Sequence, residues 1–526
     1  MRILRRLSRR LGIRSRTLSS AWALLRTGDV RGIFRRSFRR LAKLRPTPSI
    51  DHAEWRRRHV DLTDEDRQHI RGRRFDVRFE VRIDGDLDHP GISATLASLE
   101  AQLHEGWTLE FPLPRDGTHW TVLLEPGVVL HEAALWTLAE AISTTPGLLL
   151  TYTDHDHLDK AGLPTDPWFL PGWNPELFSG IGCLSALVAR HPDVKPRGIP
   201  DLDPQDVLHL PFLLASRPGP PPDPPSASSH RSLDHSSVVG RVSVLIPTRD
   251  QGRLLGVCLS SIRRLTTYPD VELVVIDHET TEDRARQVLD DLANDPAAVV
   301  LEHRGPFNFA TLLNRAAEAA SGDILVLLNN DTEVVSPEWL DYMCHHLNRP
   351  EVGIVGALLL FGNDTIQHAG VHPELGGLMG HGHKHLPGDD PGHLGRLRVP
   401  HRVAAVTGAC LAIRAEDWRA FGGLDEELAV AYNDVDLCLK ARESGLAVLL
   451  EPRAVLRHHE SISRGYDDDP VRRARLQTEV DRMKRRWGDR LNADPAYNPN
   501  LSFSEPGFTP ASPPRCAPPW RLDPSG

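Results

Sequence analysis

Asp331 closes the stretch Ser321 to Val335, S-G-D-I-L-V-L-L-N-N-D-T-E-V-V, in which the apolar run Ile324 to Leu328 gives way to Asn329, Asn330 and Asp331. A buried strand that ends in an acid delivers a carboxylate to the mouth of an open α/β sheet, where ligands sit beyond the strand ends. A carboxylate there can hold a divalent cation, and the cation can hold a diphosphate. The alternative is a strand followed by an ordinary Asn/Asp turn. Asp434, in A-Y-N-D-V-D, stands at an expected helix start, where capping and the helix dipole keep a carboxylate ionised and able to take a proton from a hydroxyl. A plain N-cap is the alternative for it. Asp436, two positions on, faces away on a helix and is the weaker base.

Other groups fall at the same expected edge. The turn Pro247-Thr248-Arg249-Asp250 and the acid Asp277 each follow a strand-like run and suit contacts to a nucleotide. His458 and His459 precede S-I-S-R-G; either can complete a cation's shell beside Asp331, Mn²⁺ suiting imidazole better than Mg²⁺. Ordinary surface histidines are the alternative. The set His368, His372, His381, His383, His385 and His393 invites a zinc reading, but its spacing fits no usual zinc pattern and its glycines suggest a mobile loop.

These residues need a scaffold, and from Val242 onward the pattern is regular. Strands at 242–246, 271–276, 298–301 and 324–328 alternate with helices, which means βαβ units with right-handed crossovers and a mostly parallel sheet. A helix over 337–348, a strand over 352–360, the apolar run 403–414, a helix from about Asn433, a strand over 446–450 and a charged helix over 471–487 follow. Residues 75–216 read as another α/β unit, with strand-like runs Phe75 to Ile83, Trp120 to Leu124 and Leu148 to Tyr152. A proline-rich linker, 217–238, separates the two bodies. The Pro-rich tail 504–526 has the composition of a disordered segment.

The first body echoes the second. W-T-V-L-L-E-P-G-V-V-L-H-E-A-A-L (120–135) follows the course of I-L-V-L-L-N-N-D-T-E-V-V-S-P-E-W-L (324–340), with Glu125, Pro126 and Gly127 where the second has Asn329, Asn330 and Asp331. Proline and glycine have no side-chain ligand for a cation. The first copy is therefore expected to be degenerate, and chemistry to reside in the second.

Composition bounds the class. The chain has 526 residues, 40% hydrophobic and 25% charged, a globular balance with enough apolar content for two or three domains. No apolar run is long enough to span a bilayer, and arginines break up the start in a way no secretory signal does. Six cysteines at 183, 258, 344, 410, 438 and 516 share no framework spacing and read as reduced thiols. The formal charge is −9, yet residues 1–46 alone carry fourteen Arg and one Lys against Asp29. Within that basic arm, residues 1–52, apolar positions recur at helical spacing (Ile3, Leu4, Leu7, Leu11; Phe34, Phe38, Leu41). That spacing suits the surface of an anionic membrane and is not needed for nucleic acid, the rival partner. The expected place of the protein is the cytoplasm, peripheral on the inner face of the cell membrane.

Taken in order, P-T-R-D, G-P-F-N-F-A-T-L-L-N-R-A (305–316), L-L-N-N-D-T-E-V, I-Q-H-A-G-V, T-G-A-C-L-A-I-R, G-G-L-D-E, Y-N-D-V-D-L-C-L-K and H-H-E-S-I-S-R-G resemble the inverting family 2 glycosyltransferases of the GT-A fold. The resemblance is to the bacterial branch that builds O-antigen and other cell-surface polysaccharides, often described as rhamnosyltransferases. The resemblance covers about residues 239–503 and implies an α/β, Rossmann-like GT-A domain. T-Y-T-D-H-D-H-L-D (151–159) and P-W-F-L-P-G-W-N-P-E-L-F-S (167–179) extend it to a degenerate GT-A-like domain over 75–216. It implies that Asn329-Asn330-Asp331 occupies the Asp-x-Asp position with Asp331 on a divalent cation, Mg²⁺ or Mn²⁺. It implies Asp434 as catalytic base, with Pro247, Thr248, Asp250, Asp277, Asn314, Asn329 and Asn330 about the nucleotide and the His458/His459 loop at the pyrophosphate. The implied substrates are a UDP- or dTDP-sugar and a glycan or lipid-linked acceptor. This chain departs from the pattern in having Asn329 for the first acid and His278-Glu279-Thr280 after Asp277. A non-catalytic scaffold in a polysaccharide-assembly complex is the alternative; a dinucleotide enzyme is disfavoured because no G-x-G-x-x-G follows the strand at Val242.

Overall fold

In this computed structural model the chain is described over residues 51–86, 88–109, 119–225, 240–374, 378–459, 470–503 and 507–521. The basic arm up to residue 50, most of the linker and residues 460–465 of the histidine loop lie outside the described residues. Two units separate by their internal contacts, residues 1–55 and 56–526, so both expected α/β bodies belong to one compact unit.

The larger sheet runs Ala298–His303, Val271–His278, Val242–Thr248, Ile324–Leu328, Cys410–Arg414, Val352–Leu360, Ala447–His458, Thr332–Val334. Its central strands are buried throughout because helices cover both faces. Alternation along a strand divides the core: Leu325 and Leu327 pack on one side with helices Phe309–Ala319 and Asn433–Glu443. Ile324, Val326 and Leu328 pack on the other with helices Gly252–Leu265 and Trp339–Leu347. This is the α/β, mostly parallel architecture expected from the sequence.

Strand direction builds one functional edge. Val242–Thr248 pairs in parallel with both Val271–His278 and Ile324–Leu328, so all three end together. Cys410–Arg414 is antiparallel to Ile324–Leu328, with Cys410 opposite Leu328. Its entry loop, Thr407 to Ala409, therefore lies at that same edge, and Asn329 N–H donates to the Ala409 carbonyl at 3.1 Å. Ala447–His458 runs parallel to Val352–Leu360 and brings His458 opposite Thr332.

The smaller sheet runs Trp107–Leu109, Phe79–Ile83, Trp120–Leu124, Val188–Arg190, Leu150–Leu158, Val207–Pro218, Val129–Leu130. Strand for strand this repeats the order, chain succession and relative directions of the larger sheet, without an equivalent of the edge strand Ala298–His303. Between the sheets Glu176 accepts from Arg349 at 2.6 Å and Arg402 at 3.0 Å. Asn174 exchanges hydrogen bonds with both backbone groups of Arg402.

Two expectations are corrected. Residues 507–521 are packed, not disordered: Trp520 is fully buried in the core of the smaller sheet, stacked on His131 and edge-on to Phe212. Apolar anchors there overcome the proline-rich composition. The Gly/His-rich stretch is built in as well, as a hairpin of Val371–Glu374 and Leu378–His381 followed by a turn in which His383 is buried and Lys384 and His385 are exposed. All six cysteines are free thiols.

Candidate active site

Asp434 lies in the first turn of the helix Asn433–Glu443, whose N-cap is Tyr432, held at φ 63°. Left-handed backbone at a bulky residue costs free energy and persists where surrounding contacts enforce it. Asp434 is thus inside the helix, not its cap. Its Oδ2 accepts the Gly408 N–H at 2.8 Å and its Oδ1 the Val435 N–H at 2.8 Å. A Cβ at position 408 would stand in ordinary contact, 3.4 Å, with that of Asp434, so the approach does not itself require glycine. Burial raises the Asp434 pKa above the ordinary carboxylate value, and the hydrogen bonds only partly oppose it. The backbone N–H groups at the helix start favour the ionised form, and desolvation opposes them. The result is a stronger proton acceptor than an exposed aspartate.

Asp434 opens into a cavity of about 280 Å³ that Asn329, Gln367, Thr407, Gly408 and His458 also line. His458 is the organised member. Its Nδ1 donates to Gln367 Oε1 at 2.8 Å, which leaves the Nε2 lone pair facing Asn329 Nδ2 at 3.2 Å and Asp331 Oδ1 at 3.1 Å. An imidazole lone pair and a carboxylate so close are reconciled by a proton or by a cation between them. Adjacent ligands of an octahedral ion with bonds of about 2.1 Å stand roughly 3.0 Å apart, so Asp331 and His458 suit a hard divalent cation. Among the described residues no group of three or more His, Cys, Asp or Glu is arranged to hold a metal. Asp331 itself is 5% exposed, on the turn that Thr332 pins by donating to the Asn329 carbonyl.

His459 does not join them. Its Nε2 meets Glu333 Oε2 at 3.1 Å, on the other side of the strand, and only its backbone N–H reaches Asp331. The other histidines form no zinc set either. His368 and His381 share a proton between their Nδ1 atoms at 2.8 Å, His383 stacks on Phe508, and His393 bonds the Phe169 carbonyl. Burial pushes His393 down to about 3 and His368 and His383 below their ordinary value, as neutral packing groups.

Along the strand ends, Asn330 Nδ2 donates to Thr248 Oγ1 at 2.8 Å, and Thr248 stands opposite Asp277 in register. Asp277 Oδ1 accepts the Thr280 N–H at 3.1 Å. Pro247 is buried within its strand, opposite Ile276. Asp250 Oδ1 accepts the N–H groups of Thr281 and Glu282 at 2.7 and 2.9 Å, and these bonds lower its pKa. It ties two loops together. Asn314 is likewise a brace, its amide bonded to Leu424 in both directions and to Glu426. Sequence reasoning passed over Gln367 and Gly408, although both stand in quoted motifs, Q-H-A-G and T-G-A-C. Their spacing does not reveal that they orient His458 and Asp434.

The sequence pattern of the family described as "Glycosyltransferase like family 2" matches residues 240–489. An uncharacterised protein of Sinorhizobium fredii, y4gI, is 35% identical over 455 residues, 76% of this chain and 50% of that protein. The O-antigen biosynthesis protein RfbC of Myxococcus xanthus is 31% identical over 427 residues, 71% of this chain and 33% of that protein. The pre-mycofactocin glycosyltransferase of Mycobacterium tuberculosis is 27% identical over 246 residues, 45% of this chain and 44% of that protein. The chain thus spans half or less of the length of these relatives.

Proposed function

We propose, from the premise that the chain belongs to glycosyltransferase family 2 through residues 240–489, that it moves a sugar from a nucleotide diphosphate donor to an acceptor hydroxyl with inversion. The observation that carries the reading is the convergence of Asp434, Asn329 and His458 on one cavity, with Asp331 against His458. Asp434 takes the proton of the acceptor hydroxyl as its oxygen attacks the anomeric carbon. The bond from that carbon to the diphosphate breaks as the new glycosidic bond forms, and the configuration inverts because the attack comes from the opposite face.

Thr248, Asp277 and Asn330 orient the nucleotide of a UDP- or dTDP-sugar at the strand ends. Asp331 and His458 would hold Mg²⁺ or Mn²⁺, which when bound neutralises the charge that grows on the leaving diphosphate. Gln367 keeps the His458 lone pair turned toward that position. The likeness to an O-antigen biosynthesis protein supports a glycan or lipid-linked acceptor in cell-surface polysaccharide synthesis, hexosyl or rhamnosyl in type. No helix among the described residues is long and apolar enough to cross a membrane. Attachment at the inner membrane face is assigned to the basic arm, and the smaller sheet acts as a non-catalytic, degenerate GT-A-like domain.

The test is nucleotide release from UDP- and dTDP-sugars by the purified chain, with Mg²⁺, Mn²⁺ or chelator. Release that needs a divalent ion and weakens in Asp331→Asn is expected. No donor binding or release from any donor would refute the transferase reading, and indifference to chelator would refute the metal role.

A further inference from the structure

A second cavity stands apart from the one at Asp434. A space of about 640 Å³ lies between the two sheets, within the range of small-molecule sites. Trp173 and His209 of the smaller body line it together with Arg402, Arg442, Trp487 and Asp494 of the larger. Two of its arginines are paired inside the protein, Arg490 with Glu443 and Arg402 with Glu176 at 3.0 Å. With Glu443 and Asp494 also on its wall, the space presents no cluster of unpaired cations for a phosphate or a nucleotide.

What it offers instead is planar polar groups around an aromatic face. Trp173 is half-buried, its indole N–H is given to the Leu202 carbonyl at 3.1 Å and its ring packs on Tyr152 and Phe178, so what remains for a ligand is the part of the ring that lines the cavity. An aromatic face matches the apolar C–H side of a pyranose, and guanidinium and carboxylate groups match its hydroxyls in pairs. The volume suits several sugar units. Position connects it with catalysis: Asp434 opens the helix Asn433–Glu443 and Arg442 closes it, about 12 Å apart along the axis at 1.5 Å per residue. The two cavities therefore flank opposite ends of one helix.

We infer that this cavity between the sheets binds a neutral oligosaccharide segment through Trp173 and Arg442, a second glycan site apart from the one at Asp434. The inference rests on the glycosyltransferase reading, which supplies the reason for a glycan to be present. The probes are neutral hexasaccharides of glucose, galactose, mannose and rhamnose, titrated into the full chain by saturation-transfer NMR and calorimetry. At least one is expected to bind with a millimolar or tighter constant, and Trp173→Ala and Arg442→Ala are each expected to weaken it about tenfold or more. Thermal melting checks that both variants are folded, and Arg442, which has a partly exposed side chain, is the second arm should Trp173→Ala unfold. Failure of all four probes to bind overturns the inference. So does binding that survives both substitutions or is abolished by Asp434→Asn, which would put the sugar in the catalytic cavity. Nucleotide release by the unmodified chain is read in parallel: release without oligosaccharide binding sinks this inference alone, and absence of release sinks the transferase reading.

Discussion

Replacing Asp434 by Asn keeps the shape of the side chain and removes its charge. Both carboxylate oxygens accept backbone N–H groups at 2.8 Å, from Gly408 and Val435. An amide has one acceptor oxygen, so one of those N–H groups must face an NH₂. A hydrogen bond to a charged group contributes roughly 1.5–3 kcal/mol, and about that much is lost at one contact. Burial works the other way: it disfavours the ionised form, which is why the Asp434 pKa is raised, and the neutral amide escapes that cost. The two effects offset, so the melting temperature should move by no more than about 4 °C. Activity should not be spared. A positioned base contributes about 10²–10⁴-fold, or roughly 3–5 kcal/mol at 1.36 kcal/mol per decade, and the donor's binding contacts lie elsewhere.

The assay is single-turnover sugar transfer alongside calorimetric donor titration. A fall in kcat of about a thousandfold is expected, with donor affinity held within about threefold. In the unmodified protein, kcat/KM should decline as pH falls through the raised pKa of Asp434, and this limb should vanish in the variant. Stability follows the same group with the opposite benefit. Its folded-state pKa exceeds the unfolded one, so protonation favours the fold at low pH, and that contribution is lost as pH rises through the folded value. A variant retaining more than a tenth of wild-type turnover would refute Asp434 as the base.

Three further outcomes follow from named contacts. Gln367→Leu removes the acceptor that fixes the His458 tautomer and should weaken Mn²⁺ binding about 10–100-fold in a metal titration; unchanged affinity would count against His458 as a ligand. Glu451, fully buried between Arg453 and His346, has its carboxyl held down to about 2, and Glu451→Gln should cost roughly 3–5 kcal/mol in urea unfolding at pH 7. Because the folded pKa is depressed, that contribution is present above the unfolded value of about 4.3 and fades as pH falls toward 2, so variant and parent should converge in acid. Trp520→Ala should cost about 3–5 kcal/mol by opening the core of the smaller sheet; an unchanged melting temperature would contradict the packing of the C-terminal segment.

Where a run is buried on both faces, the sequence announces it. Ile324–Leu328 and Val352–Leu360 occupy the residues their apolar runs mark. The strand expected over 446–450 instead continues to His458, through Glu451, Pro452 and Arg453. Those residues break the apolar pattern, yet Arg453 and His346 satisfy Glu451 so fully that it sits inside the sheet. One of these partners, His346, is 105 positions away, and local periodicity cannot report it. That continuation is also what carries His458 to Asp331. In the same way only Cys410–Arg414 of the run 403–414 is strand, because Thr407 and Gly408 are drawn into the turn that holds Asp434.

The smaller sheet presents different side chains at the place that corresponds to Asp331 and His458. In the larger sheet Val334 opposes Leu456, Glu333 opposes Arg457 and Thr332 opposes His458. In the smaller, Leu130 opposes Ala215 and Val129 opposes Ser216, so the next position on the long strand, the equivalent of His458, is Arg217. Arg217 is ion-paired with Glu125, which aligns with Asn329, while Gly127 aligns with Asp331. A guanidinium cannot surrender its charge or offer a lone pair, so a divalent ion placed there would meet a cation where the other sheet presents an imidazole. Loss of the acid alone leaves a vacant ligand position that a water can fill. Arrival of Arg217 goes further, because it settles the local charge with an internal ion pair, and restoring an aspartate at Gly127 would not recreate a metal site while that arginine stays.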